Sequence, residues 1–344
     1  MNFKPVLDQI RIFMVIAILL FLGGCDVSQT TSKASETETK KFDYATDLSD
    51  KWQKLQLAHN LEVDRTPIVS IAFSPDNKLI AASSFSGQVK VWHLESGESL
   101  FDENLGTEVR SISFSPNGKT VVTGDADNNI KLWSVETSNL LRTFKGHKLL
   151  VESVVYSPDG KTLVSGSRDR TIKIWSIETG KLIYSLEGNK DTITSVDISP
   201  DGRAIVSSSN DGSIKLWDLK ALDSPRSFIG HLNSAYQVEF APDGETIASS
   251  SGDNTVKLWE SSSDRIVRTF NGHKDAVTTI DFSGDGRILA STSRDRTVRI
   301  WRVSTGELIH SLSGNFVTEV GISPNSQFLV TGDSDGKIQI WLIE

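Results

Sequence analysis

Three sets of side chains at constant spacing carry the residue types of a hydrolytic triad: His147, Ser165 and Asp169; His231, Ser249 and Asp253; His273, Ser291 and Asp295. A serine made nucleophilic by a histidine, itself oriented by a carboxylate, is the arrangement of acyl-transfer enzymes. A catalytic site is not normally present three times in equivalent positions, however, and each set comes with a tryptophan at the same distance: Trp175, Trp259 and Trp301. A calcium loop is a second candidate. Asp125, Asp127, Asn129 and Glu136 fit the first, third, fifth and twelfth positions of an EF-hand, but Ile130 stands where the sharp bend needs glycine. The segment also runs straight into the stretch carrying Trp133, so a strand turn is the better reading. Metal-type Cys/His spacing and a glycine-rich phosphate loop are both missing, and no cofactor is expected.

The elements that must position these residues follow from one periodicity. Trp92, Trp133, Trp175, Trp217, Trp259, Trp301 and Trp341 recur at intervals of 40 to 42 residues, with only Trp52 outside the series. Such a period means one structural unit copied seven times. Each Trp lies 18 residues after a turn beginning at Ser74, Ser115, Ser157, Ser199, Ala241, Ser283 or Ser323. Proline follows in six copies and Gly284 in the sixth unit, then Asp or Asn, then usually Gly. Proline presets φ for a tight turn, Asp or Asn bonds its own backbone, and Gly closes the turn without strain. Flanking segments such as VESVVYS and VTTIDFS alternate with period two, the pattern of half-buried strands. Four short strands per unit leave no room for helices.

These units resemble the WD-repeat family, over residues about 51–344. Gly146-His147, Gly230-His231 and Gly272-His273 match the start of the family's unit, and Trp217-Asp218 matches its end literally. Asp127, Asp169, Asp211, Asp253, Asp295 and Asp335 each stand six residues before a unit's Trp, and Ser86 stands there in the first. The resemblance implies an all-β protein, a seven-bladed β-propeller of four-stranded antiparallel blades. It also implies that Trp, Ser, His and Asp form a buried hydrogen-bonded tetrad in three units, a structural role for the triad-like residues. Unit 4 keeps Ser207, Asp211 and Trp217 but has Asn189 in the His slot; Thr107 and Asn315 are only approximate equivalents in units 2 and 7. Unit 1 has Ala82 and Ser86 and no clear His, so its blade is expected to be the least rigid. The sequence stops three residues after Trp341, while Trp52–Val63 has strand character without inner strands of its own. The expectation is that this N-terminal strand completes the last blade and closes the ring.

The net charge of −8, with no basic stretch to offset it, disfavours nucleic acid as a partner. Near the N-terminus Lys4 and Arg11 precede an apolar run, Ile12–Leu22, too short to span a bilayer comfortably. It ends Leu22-Gly23-Gly24-Cys25, and Cys25 is the only cysteine. This resembles a bacterial lipobox. The resemblance implies a signal peptide over 1–24, cleaved before Cys25, and a lipidated Cys25 anchored to a membrane of the cell envelope on its extracytoplasmic side, inner or outer. An ordinary signal peptide with an incidental Cys is the alternative. Residues 26–50 hold nine Ser or Thr and nine charged residues and read as a disordered tether from Cys25 to the propeller.

Function then falls to surface residues the repeat does not repeat. In this family the turns that begin at Gly-His and those holding the tetrad Asp share one face, the top. Phe85, Arg168 and Arg294 are placed there by one set of turns, Leu149, Leu150 and Tyr236 by the other. Arginine forks suit carboxylate recognition, and adjacent leucines in a surface turn suggest a contact. The blander readings are arginines paired to neighbouring acids and leucines packed into the ring mouth. The expected function is a membrane-anchored, non-catalytic scaffold, monomeric, binding an unknown protein or peptide through the top face, with an envelope assembly factor as one subtype. A small-ligand-binding or enzymatic propeller using the central channel is the alternative, for which the sequence shows no asymmetric set of acids or histidines.

Overall fold

The computed structural model describes residues 51–222 and 224–344. The expected signal peptide over 1–24, Cys25 and the segment 26–50 lie outside the described residues. No helix among the described residues is long and apolar enough to cross a membrane.

Among the described residues, twenty-eight strands form seven four-stranded antiparallel sheets, the blades of one propeller. Blade 1 runs Ile68–Phe73, Leu79–Ser84, Gln88–His93 and Ser99–Asn104, from the channel outward, and blades 2 to 6 repeat the order. Blade 7 takes three strands from the C-terminal end, Val317–Ile322, Phe328–Asp333 and Lys337–Ile343. Its outer strand is Leu55–Glu62, antiparallel to Lys337–Ile343 with Leu55 opposite Ile343 and Glu62 opposite Lys337. The expected closure of the ring by the N-terminal strand therefore holds. The strand begins later than expected, because Lys51–Gln53 form a helical turn. That turn buries Trp52 among Ile288, Val298 and Val320, between blades 6 and 7.

Local chemistry fixes each turn between first and second strands. Ser157 Oγ donates to Asp159 Oδ1 at 2.6 Å and accepts from the Thr162 N–H at 3.0 Å. Ser74, Ser199 and Ser283 repeat the first bond with Asp76, Asp201 and Asp285. The residue that follows needs positive φ: Gly160 adopts +68°, and Asn77 and Ser326 adopt +60° and +57° in blades 1 and 7. Gly284 has another reason for lacking a side chain. A Cβ there would lie 1.9 Å from the Pro324 carbonyl oxygen of the next blade.

The core is not central. It is divided into seven apolar wedges, each between neighbouring blades. The repeating Trp sits on the third strand and packs back onto the previous blade's outer strand. Phe144 meets Trp175 at 6.1 Å between ring centroids, Phe228 meets Trp259 at 5.8 Å and Phe270 meets Trp301 at 5.8 Å. Each such aromatic pair contributes roughly 0.5–1.5 kcal/mol beyond the area it buries.

Candidate functional site

The triad-like residues meet in three hydrogen-bonded chains. In blade 3 the Trp175 indole N–H donates to Ser165 Oγ at 2.9 Å, and Ser165 lies 2.7 Å from His147 Nε2. His147 Nδ1 lies 2.9 Å from Asp169 Oδ2. A carboxylate only accepts, so Nδ1 carries the proton and Nε2 accepts from the serine. The same bonds join Trp259, Ser249, His231 and Asp253, and again Trp301, Ser291, His273 and Asp295. Burial depresses the three histidines below their ordinary pKa, with the Asp bond working against it, so the imidazoles stay neutral. Burial would raise the carboxyls. Bonds from His147, Thr171 and the Lys148 N–H outweigh it at Asp169, and comparable bonds bring Asp253 and Asp295 down to about 2. Ser165, Ser249 and Ser291 have no exposed surface, and each accepts an indole N–H where a nucleophile would need an open approach.

The other blades depart from this chain in instructive ways. In blade 4 Trp217 still donates to Ser207 at 3.1 Å, but both polar atoms of the Asn189 amide are buried without a partner. Asparagine is shorter than histidine and does not bridge Ser207 to Asp211. In blade 7 Asn315 donates to Asp335 at 3.3 Å. Blade 1 has a substitute the sequence reading missed. Asp64 stands four residues before the inner strand, as His147 does in blade 3. It accepts from Ser84 Oγ at 2.6 Å, from Ser86 Oγ, and from Thr66. Acid and donor have exchanged sides of the joint. In blade 2 the buried Asp125 pairs with Lys131 at 2.6 Å. No three Asp, Glu, His or Cys residues among the described residues converge as a metal site, the calcium-loop set included.

Successive strands are antiparallel, so the turns before each inner strand and those between second and third strands share one face. On it Arg168 donates to Glu152, which also lies 3.7 Å from Arg110, and Arg110 sits over the Phe85 ring at 5.8 Å. These residues form one run across blades 1 to 3. Arg294 lies over the Tyr236 ring at 5.7 Å, joining blades 5 and 6. Leu149 is 51% exposed, but Leu150, the residue just before the inner strand, is only 9% exposed and packs inward beside the buried Val151. Leu150 is therefore not a surface contact. Two apolar side chains that the sequence reading passed over are far more exposed: Ile229 at 83% and Leu232 at 93%. They flank Gly230-His231. Leu232 holds the place of Lys148 and Lys274, and its N–H is tied to Asp253 as theirs are to Asp169 and Asp295. A leucine where sister units carry lysine was the available signal.

The central channel also departs from expectation. Asp197, Glu239, Asp281 and Glu319 all line it, on four consecutive blades. This is the asymmetric acidic set the sequence reading found absent. Three of them stand 42 residues apart, in the register of the repeat itself. Burial raises the Asp197 carboxyl to about 6, and raises Glu239, Asp281 and Glu319 as well.

A family model described as WD domain, G-beta repeat matches residues 138–176, 180–218, 223–260, 264–302 and 306–341. Another, described as Anaphase-promoting complex subunit 4 WD40 domain, matches residues 72–149. No curated protein matches the chain significantly.

Proposed function

Because the chain belongs to the WD-repeat family, we propose that it is a non-catalytic protein-interaction scaffold that binds a protein or peptide on the face carrying the Gly-His turns. The observation that carries this reading is Leu232: an almost fully exposed leucine whose backbone is pinned to the Asp253 tetrad. A contact residue held in place loses little conformational freedom on binding. Ile229 beside it and the Tyr236–Arg294 stack add apolar and aromatic surface of the kind that anchors interfaces. The buried, indole-capped serines support the non-catalytic part. The lipobox supports attachment through a lipidated Cys25 to a membrane of a bacterial envelope, with the ring acting as a monomer; assembly of envelope proteins is one role such a scaffold serves.

Proximity crosslinking in the native membrane tests this, with Leu232→Glu, with a combined Arg168→Glu and Arg294→Glu variant, and with Cys25→Ala as the anchoring control. Loss of one discrete crosslinked partner in the face variants is the expected result. Unchanged crosslinking in both would move the contact off this face.

The acidic channel favours a second reading, in which the ring also binds a small charged group.

A further inference from the structure

Each inner strand is the edge of its sheet, so its outward N–H groups lack a neighbouring strand. Side chains of the preceding blade supply acceptors. At the third position of the inner strand Ser70, Ser111, Ser153 and Gln237 accept from the N–H groups of Ile112, Val154, Val196 and Ile280. At the fifth position the same service is done by carboxylates on blades 4, 5 and 6: Asp197 accepts from Phe240 at 2.8 Å, Glu239 from Phe282 and Asp281 from Ile322. The fifth position in blades 1, 2, 3 and 7 is Ala72, Ser113, Val155 and Gly321. One side of the channel is thus acidic and the other neutral.

Stapling uses one oxygen of each carboxyl and supplies no positive charge to balance it. Glu239 Oε2 is sealed from solvent, and the Glu239 carboxyl is paired with that of Asp281, two acids side by side. Glu319 has no staple at all; burial and the charge of Asp281 are what act on it. None of the four acids has a cation acting on it. Arg110, nearer the Gly-His face, is already taken by Glu108 at 2.8 Å and by Glu152. The cavity these strands enclose is about 480 Å³, within the roughly 300–1,000 Å³ of ligand sites. Uncompensated acids in so enclosed a space call for positive charge. A metal ion is the wrong form of it, since no three of these groups converge. A cation whose N–H donors point in several directions suits carboxylates spread over four blades.

We propose that the central channel is a binding site for an alkylammonium or guanidinium group, held between Asp197, the Glu239–Asp281 pair and Glu319. The group comes either from a free polyamine or from a lysine or arginine side chain of a bound polypeptide. Protons that the raised acids hold in the empty channel leave as the cation enters. The titratable or charged neighbours facing the channel are Arg110, Glu152 and Tyr236, all nearer the Gly-His face.

Isothermal titration of the full chain in detergent tests this with spermidine, with an acetylated and amidated Gly-Arg-Gly peptide, and with calcium chloride, each in two buffers of different ionisation enthalpy. Saturable binding of spermidine or the peptide with proton release is expected, and whichever binds identifies the source. Glu319→Gln, which disturbs no staple, should weaken that binding at least tenfold without lowering the melting temperature. Asp197→Asn, whose amide oxygen keeps the Phe240 bond, gives a second variant with the same expectation. Absence of saturable binding by both organic cations at millimolar concentration, binding by calcium alone, or equal affinity in both variants would overturn the proposal.

Discussion

Leu57 lies directly opposite Trp341, so the first described strand and the last are neighbours in one sheet. Removing residues 51–63 takes away that strand and the Trp52 side chain buried between blades 6 and 7. It also exposes the edge of Lys337–Ile343. The melting temperature should fall far more than on removal of residues 26–45. Equal melting temperatures for the two truncations would show that the ring does not depend on this strand.

The tetrads make the same kind of statement about chemistry. Ser165→Ala strands the Trp175 N–H and His147 Nε2 in a dry site, and unsatisfied buried groups cost about 1–3 kcal/mol each. Chemical denaturation should show a loss of that order. A fluorophosphonate probe should leave Ser165, Ser249 and Ser291 unlabelled in the folded protein, as read by peptide mass mapping. Labelling of any of the three before unfolding would return them to the list of nucleophiles.

Blade 4 offers the converse experiment. The Asn189 amide has neither of its polar atoms satisfied, while Ser207 and Trp217 are already bonded as in a complete tetrad. Asn189→His supplies the missing link to Asp211. The expected gain is about 1–2 kcal/mol in unfolding free energy, the net value of restoring hydrogen bonds to buried groups. A destabilised variant would mean the blade 4 turn has settled around the shorter side chain.

Stability should respond to pH through two opposed sets of groups. The tetrad histidines have folded pKa values below the ordinary 6.5, so their contribution is full above that value and is lost as pH falls through the lower folded values. The channel acids have raised folded values. Their contribution is full below the unfolded carboxyl value near 4 and is lost as pH rises through the folded values, about 6 for Asp197. Glu239→Gln should therefore raise stability at pH 8 relative to the parent and change little at pH 4. Parallel pH profiles for the two proteins would contradict this.

Much of the molecule was legible in the sequence because repetition amplifies weak signals. One Pro-Asp-Gly turn or one tryptophan says little, but seven in register define blades and their number. Ring closure was legible because Lys337–Ile343 lacked an outer partner in chain order. What escaped is what the period two of a strand does not encode. A polar residue alternating with valine reads the same whether it faces solvent or a channel, so Asp197, Glu239 and Asp281 passed as ordinary surface. Alternation also could not say which of Leu149 and Leu150 turns inward. Asp64 escaped because it fills a histidine's place with the opposite hydrogen-bonding sense. Gly284 was visible as an exception to the turn rule, but its cause, the Pro324 carbonyl of the next blade, lies 40 residues away in the chain.

The strand that closes blade 7 has a mechanical consequence. The chain enters the ring at Leu55, whose partner Ile343 is next to the C-terminal residue. Tension applied from the N-terminal side reaches that pair first and proceeds toward Glu62–Lys337, opening the ladder one rung at a time, as a zipper is drawn. The strand expected to matter most against heat is thus also the one that a steady pull on the N-terminal side would open rung by rung.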